Sequence, residues 1–459
     1  MTSAEVPARR SLLAPAIAVL LGGAVVAPAA SGDVLRITSA PGQDAADVTV
    51  ATFPASARAD GIAGRPVTGL PAWITTYEAA PGDGAVAYAG SGMASVAPPD
   101  PATGPVDDPL SRPLAGLLPV GGGPVVPFSG LSGGVLGRAF RSGTNAANEQ
   151  PDPWITWSPD GTSVVLHAFG RDPRRDPWFA APDARRCDVA TARCTAPVAR
   201  DVVDLPGGGT VETEAGLSVP IGARRTFDRD VDTGPPAARR FRARAERRYA
   251  VTVRVAGRPG VPATWRTSGV LRDGSPAFDR AIPSAAGVLV RTSRVRAPKQ
   301  TPRTRGLGVS ADAGKAVVVR RDGTIRPLGR FGYEVVGTLP DGRWMLTGGP
   351  GRRFERGPTG QPLRTLDADG RIAPLTSGAR VVSPVWAASL AGLPDSAART
   401  AEVERAGIDA ASGLLVLVMR FQDGGEPGRV VVLPADGSSP PRLLRDPPAR
   451  RTSADYLVR

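Results

Sequence analysis

Trp154-Ile-Thr-Trp157-Ser-Pro-Asp-Gly161-Thr-Ser-Val-Val-Leu166 reads as strand, tight turn and strand. Pro159 pre-sets φ for the first central turn position, Asp160 caps the turn with its carboxylate, and Gly161 accepts the positive φ that starts the return strand. Pro340-Asp-Gly342-Arg-Trp-Met-Leu346 repeats the device. Looser copies are Ala311-Asp-Ala-Gly314 before Lys315–Val319, and Asp409-Ala-Ala-Ser-Gly413 before Leu414–Val418. A recurrent hairpin unit specifies architecture and leaves the ligand open.

Two longer units show how the hairpins combine. From Glu334 to Thr376 the sequence offers strands at Val335–Leu339, Arg343–Thr347, Leu363–Leu366 and Arg371–Thr376, the last entered through an Asp367-Ala-Asp-Gly370 turn. From Ala406 to Leu444 it offers Leu414–Met419, Arg429–Leu433, an Ala435-Asp-Gly437 turn and Pro441–Leu444. Four strands in about forty residues is the repeat of a propeller blade. Leu414–Met419 is apolar throughout, as a strand must be when both of its faces are covered.

On these residues a family resemblance can be stated. Trp157-Ser-Pro-Asp-Gly161 with its following strand resembles the repeat of TolB-type propellers, in which this turn joins the first two strands of a blade. Asp367-Ala-Asp-Gly370 and Ala435-Asp-Gly437 resemble the later turn of the same blade. The likeness covers 154–198 and 307–444; Leu339 stands where the second copy would carry Trp-Ser, and 200–306 has no good copy. The resemblance implies an all-β, β-propeller-like fold of about six to seven degenerate four-stranded blades. It implies a binding surface rather than a shared activity.

Composition agrees. The chain has 459 residues, with 56 Gly and 48 Pro, so a turn-rich β protein is expected. The expected organisation is a signal peptide over 1–29, an N-terminal β segment over 30–96, a Pro/Gly-rich linker or weak strands over 97–153, and propeller-like repeats over 154–459. The single helical candidate runs from Asp395 or Ser396 as cap to Gly407 as stop. Arg9-Arg10, the apolar run Leu12–Val26 and Ala27-Pro28-Ala29 read as an export signal, by the general or the twin-arginine route; the alternative is an uncleaved membrane anchor, which Gly22, Gly23 and Pro28 weaken as a spanning helix. Without a cysteine after the apolar run there is no support for a lipid anchor. A secreted or periplasmic, envelope-associated bacterial protein is expected, a monomer without a membrane span once the signal is removed.

Cys187 and Cys194 bracket six residues and suit a disulfide clamping a hairpin in an oxidising compartment. C-x-x-C spacing is absent, and the chain's one histidine is His167, so redox and zinc chemistry lack their usual residues. Gly130-Leu-Ser-Gly-Gly134 matches the nucleophile-elbow pattern, but its flanks offer no strand leading into a helix. It reads as a Gly/Ser loop, His167 reads as a bonded strand residue, and no catalytic residue is assigned. Asp228, Asp230 and Asp232 have Ca²⁺-loop spacing. Thr233 replaces the turn glycine and Arg239 stands where a closing glutamate belongs, which leaves at most a weak Ca²⁺ site and otherwise no cofactor.

Charge gives the functional expectation. Residues 221–306 hold 20 basic and 6 acidic side chains, a balance of +14 beside +13 for the whole chain. Arg239, Arg240, Arg242, Arg244, Arg247 and Arg248 are the densest part, and guanidinium forks suit phosphate and carboxylate. The expected function is a binding or scaffold module at the envelope, gripping an anionic polymer or a protein partner rather than specific nucleic acid. The alternative is a secreted hydrolase or lyase with a carboxylate and arginine site in the propeller channel.

Overall fold

A computed structural model describes residues 34–39, 48–56, 63–70, 74–81, 85–92, 112–131, 154–172, 176–217, 248–258, 260, 263–270, 275–296, 310–349, 361–409, 412–421, 429–444 and 453–458. Its strands form seven sheets arranged as the blades of a propeller, antiparallel apart from the short parallel pairing of Gly123–Pro124 with Arg65–Thr68, and a separate two-stranded hairpin, Thr376–Ser377 with Arg380–Val381.

Blade 1 holds Val34–Ser39, Val48–Phe53 and Arg65–Thr68, with Ser453–Val458 added at its inner edge and Gly123–Pro124 at its outer edge. Blade 2 is Ile74–Ala79, Ala85–Gly92, Arg112–Pro119 and Val126–Pro127. Blade 3 is Trp154–Trp157, Ser163–Asp172, Asp176–Asp188 and Arg193–Cys194. Blade 4 is Asp201–Asp204, Thr210–Leu217, Arg248–Ala256 and Thr264–Val270. Blade 5 is Ser275–Ser284, Gly287–Arg296, Ser310–Arg320 and Ile325–Arg330. Blade 6 is Tyr333–Thr338, Trp344–Gly348, Arg364–Leu366 and Ile372–Pro374. Blade 7 is Ala401–Asp409, Leu414–Phe421, Arg429–Pro434 and Arg442–Leu444.

Packing between blades explains the apolar strands. In blade 7, Leu415, Leu417 and Met419 pack with Met345 and Leu363 of blade 6, while Val416 and Val418 face Val34 and Phe53 of blade 1. In blade 5, Val288 and Val290 meet Val251 and Val253 of blade 4, and Leu289 meets Trp344 of blade 6. Alternate side chains thus serve alternate neighbours, so a strand with period-two geometry needs apolar residues at every position. Contacts between first strands run from blade to blade, including Ser453–Val458 against both Ile74–Ala79 and Ala401–Asp409, so these strands surround the axis. The last strand of the chain pairs with Val34–Ser39 and closes the ring.

The Asp-Gly turns behave as their chemistry demands. In the first, Gly161 N donates to Ser158 O and Ser158 N to Ser163 O, each at 2.9 Å, and Asp160 accepts from Thr162 N. Gly342 has φ +86°, and a Cβ there would lie 2.4 Å from Ala286 N in the blade 5 turn. Only glycine satisfies both conditions.

Several expectations need correction. Ala311–Gly314 is not a turn leading into a strand: Ser310–Arg320 is one continuous strand. Its register slips opposite Thr292, where the Thr292 hydroxyl donates to Lys315 O at 2.8 Å and accepts from Lys315 N at 2.9 Å. Gly314 therefore marks a bulge, the other role of glycine within a strand. The helix expected up to Gly407 is five residues long, Asp395–Arg399, and Ala401–Asp409 is the inner strand of blade 7. Gly407 sits within that strand because a Cβ would collide with Val458 at 2.3 Å. A second helix, Pro384–Leu390, precedes it, with the Ser383 hydroxyl accepting from Trp386 N as N-cap. Segment 200–306, where no repeat was expected, holds blade 4 and the first two strands of blade 5.

Candidate functional site

The first strands carry Glu78, Arg280 and Arg405. Four of them slip register against their second strands: between Ile74 and Thr76, Phe278 and Arg280, Val335 and Gly337, and Val403 and Arg405. A bulge bends its strand and re-aims the side chains that follow. Arg280 and Arg405 each stand first after such a bulge, in blades 5 and 7. The corresponding residues of blades 2 and 6 are Thr76 and Gly337.

Arg405 reaches from blade 7 past the inner strand of blade 1 to blade 2. There its Nη2 donates to Tyr77 O at 3.1 Å, and its Nη1 lies 3.3 Å from Glu78 Oε2. The Arg405 side chain is 35% exposed and that of Glu78 45%, so solvent reaches both. Glu78 also feels the charge of Arg280, although blades 2 and 5 stand on opposite sides of the ring. Enclosure within the ring pushes the Glu78 carboxyl above its ordinary value, while Arg405 and then Arg280 pull it down.

Behind these charges lies a buried polar chain. The Arg280 guanidinium sits 5.8 Å from the Trp154 ring centroid, and Trp154 stacks on His167 with centroids 5.0 Å apart and planes 6° apart. His167 Nδ1 donates to Asp201 Oδ1 at 2.5 Å, and its Nε2 pairs with Thr156 Oγ1 at 2.7 Å. The side chains of His167 and Asp201 are wholly buried. Both ring nitrogens of His167 have partners, as the sequence reading held. Trp157 Nε1 donates to Glu78 O at 3.1 Å, tying blade 3 to the strand that bears the carboxylate. The connected set Arg405, Glu78, Arg280, Trp154, His167 and Asp201 thus draws on five blades.

Other expected site residues lie elsewhere. Cys187 and Cys194 form a disulfide as directly opposed residues of blade 3. The clamp holds a hairpin end at the outer edge, where Ser129 N donates to Ala192 O and Cys194 N to Ser129 O. Gly130 backs on Cys194, and its carbonyl accepts from Arg185 Nη1. Ser132, Gly133 and Gly134 are outside the described residues. So are Asp228, Asp230 and Asp232, and Arg239, Arg240, Arg242, Arg244 and Arg247. Arg248 opens the third strand of blade 4, one strand from the outer edge, and Arg254 farther along it pairs with Glu214 at 3.6 Å. Among the described residues, no three of His, Cys, Asp and Glu gather as a metal site.

Sequence reasoning did not find Glu78, Arg280, Arg405 or Asp201. The partial signal is Arg-Ala at 280–281 and again at 405–406, at the same point of two inner strands. Recognising it requires the strand register, because the residue omitted at each bulge disturbs the period.

No protein-family model matches the chain, and no curated protein matches it either. Solved structures do resemble it. The acylaminoacyl peptidase of Pyrococcus horikoshii aligns at 12% identity and TM-score 0.38, over 81% of this chain; the chain spans 45% of the peptidase. The propeller domain of the Trilobed protease from Pyrococcus furiosus, which has an open velcro topology, aligns at 10% identity and TM-score 0.38, over 82% of this chain and 85% of that one. The periplasmic gluconolactonase of Pseudomonas aeruginosa aligns at 13% identity and TM-score 0.27, over 74% and 94%.

The chemistry open to the site is recognition of negative charge. Arg280 forms no ion pair among the described residues, and Arg405 has one long contact to a carboxylate. Both retain donors for an oxyanion, and Trp154 supplies an apolar wall beside them.

Proposed function

We propose that the protein is an exported propeller whose central channel binds a ligand bearing an oxyanion, with Arg280 and Arg405 as the cationic contacts. The observation that carries this reading is the contact at 3.3 Å between Arg405 of blade 7 and the partly exposed carboxylate of Glu78 in blade 2, with the charge of Arg280 in blade 5 acting on the same group. The charged groups acting on Glu78 are both arginines, a binding set rather than the carboxylate pair that glycoside cleavage uses. We therefore favour a binding module over a hydrolase or lyase. The Cys187–Cys194 disulfide supports passage through an oxidising compartment. Among the described residues no helix is long and apolar enough to cross a membrane. The Trp157-Ser-Pro-Asp-Gly161 hairpin of blade 3 and the Asp-Gly hairpin of blade 6 support placing the chain with the TolB-type propellers.

A ligand of this kind is one end or one residue of an anionic envelope polymer, and the Arg239–Arg248 segment would add long-range attraction. Isothermal titration with trigalacturonate tests the reading. The mature protein should bind it with an affinity that falls as salt rises, and Arg280→Gln with Arg405→Gln should abolish binding without loss of fold. Binding that survives both substitutions would refute a channel site.

A further inference from the structure

Glu78 places a carboxylate of the protein itself against the Arg405 guanidinium. It meets Arg405 through one oxygen at 3.3 Å, longer than the roughly 2.7–2.9 Å of a strong charged hydrogen bond, and without the two-oxygen fork that arginine favours. Both partners retain solvent contact, so the pair can be displaced without unpacking a blade. Arg280 adds a second positive charge acting on the same carboxylate.

We propose that Glu78 is a built-in stand-in for the ligand: an incoming oxyanion replaces it on Arg405, and Glu78 gives up that contact as a neutral, protonated acid. This rests on the channel-binding reading and identifies its ligands as carboxylates or comparable oxyanions taken up together with a proton. No covalent bond changes, and the proton comes from solvent. Enclosure already raises the proton affinity of Glu78, and the opposing pull of Arg405 is what an arriving anion would neutralise.

Several charged and titratable groups stand on the elements packed against Glu78. Arg405 and Arg280 face it as permanent cations. Tyr88, on the next strand of its own sheet, is pushed up to about 12 by burial and stays neutral. Trp154–Trp157 carries no ionisable side chain, and His167 behind it is engaged with Asp201 and Thr156. The neighbouring inner strand Ser453–Val458 carries Asp455 and Tyr456, and Ala401–Asp409 carries Glu402, Glu404 and the buried Asp409.

The sign follows directly. With Glu78 ionised the three groups sum to one positive charge; with it protonated they sum to two. Anion affinity therefore rises as pH falls through the Glu78 pKa and levels off below it. Because the folded pKa lies above the unfolded value, the free protein itself loses stability as pH rises through that window.

The test is calorimetry with sulfate and with trigalacturonate at about pH 6, where neither anion titrates, in buffers of differing ionisation enthalpy. The wild-type chain should take up a substantial fraction of one proton per anion, and Glu78→Gln none. At neutral pH Glu78→Gln should bind about tenfold more tightly, with the difference vanishing toward low pH. Uptake with both anions supports displacement by any oxyanion, and uptake with the uronate alone narrows the ligand to carboxylates. Binding of either anion by wild type with no proton uptake overturns the stand-in role and leaves the channel site intact. Absence of binding by wild type removes both. The buffer series on wild type decides the matter even if Glu78→Gln folds poorly.

Discussion

At the scale of single residues, His167 is the most constrained side chain of the site. Its ring is held by Asp201, Thr156 and the face of Trp154, with no solvent contact. Replacing it with leucine leaves the Asp201 carboxylate buried without its donor, since Asp201 Oδ2 has no other partner among the described residues. Breaking a buried pair from one side costs about 3–5 kcal/mol, so His167→Leu should lower the urea-unfolding free energy by that order. A loss below about 1 kcal/mol would mean that the chain of contacts is not a structural anchor. The same residue shows what sequence could disclose. A lone histidine in a strand after Trp-Ser-Pro-Asp-Gly is visible at once, and its bonding is expected. Its partner Asp201 is 34 positions away in another blade, and nothing local marks it.

Elements tell a more even story. The turns were legible because Pro, Asp and Gly impose their own geometry, and Leu414–Met419 was legible because a doubly covered strand cannot hide its composition. Blades 6 and 7 follow. Blades 4 and 5 escape a reading of the sequence where the sheet signals itself through glycines that are not turns, as at Gly314, or through polar residues alternating with valines, as in Arg248–Ala256. The bulges that aim Arg280 and Arg405 are invisible without the partner strand. The disulfide was legible from spacing alone. Changing both Cys187 and Cys194 to serine should cost at most about 3 kcal/mol, because the closed loop is short. The loosening should be local: faster amide exchange at Ser129, Cys194 and Thr195, whose hydrogen bonds fasten this hairpin, and unchanged exchange at Trp344 and Met345 in blade 6. Acceleration spread evenly around the ring would contradict a local clamp.

For the whole molecule, closure of the ring determines whether a site on the axis exists at all. Ser453–Val458 is the inner strand of blade 1, pairs along all of Val34–Ser39, and buries Leu457 among Leu35, Ile37 and Tyr77. Removing 453–459 should therefore cost at least about 2 kcal/mol, the worth of one buried leucine, and should expose a strand edge prone to self-association. Unchanged thermal stability and a monomeric profile would show that the last strand is dispensable. A closed ring gathers Glu78, Arg280 and Arg405 from sequence positions hundreds of residues apart, so architecture was readable and the site was not.

The central claim is that this axis holds an oxyanion between Arg280 and Arg405. The most direct measurement is a crystal soaked in selenate, located by anomalous scattering. The account predicts a peak within hydrogen-bond reach of both guanidiniums, with Glu78 turned away from Arg405. Selenate found elsewhere on the protein, with the channel vacant and the Glu78–Arg405 contact intact, would contradict it.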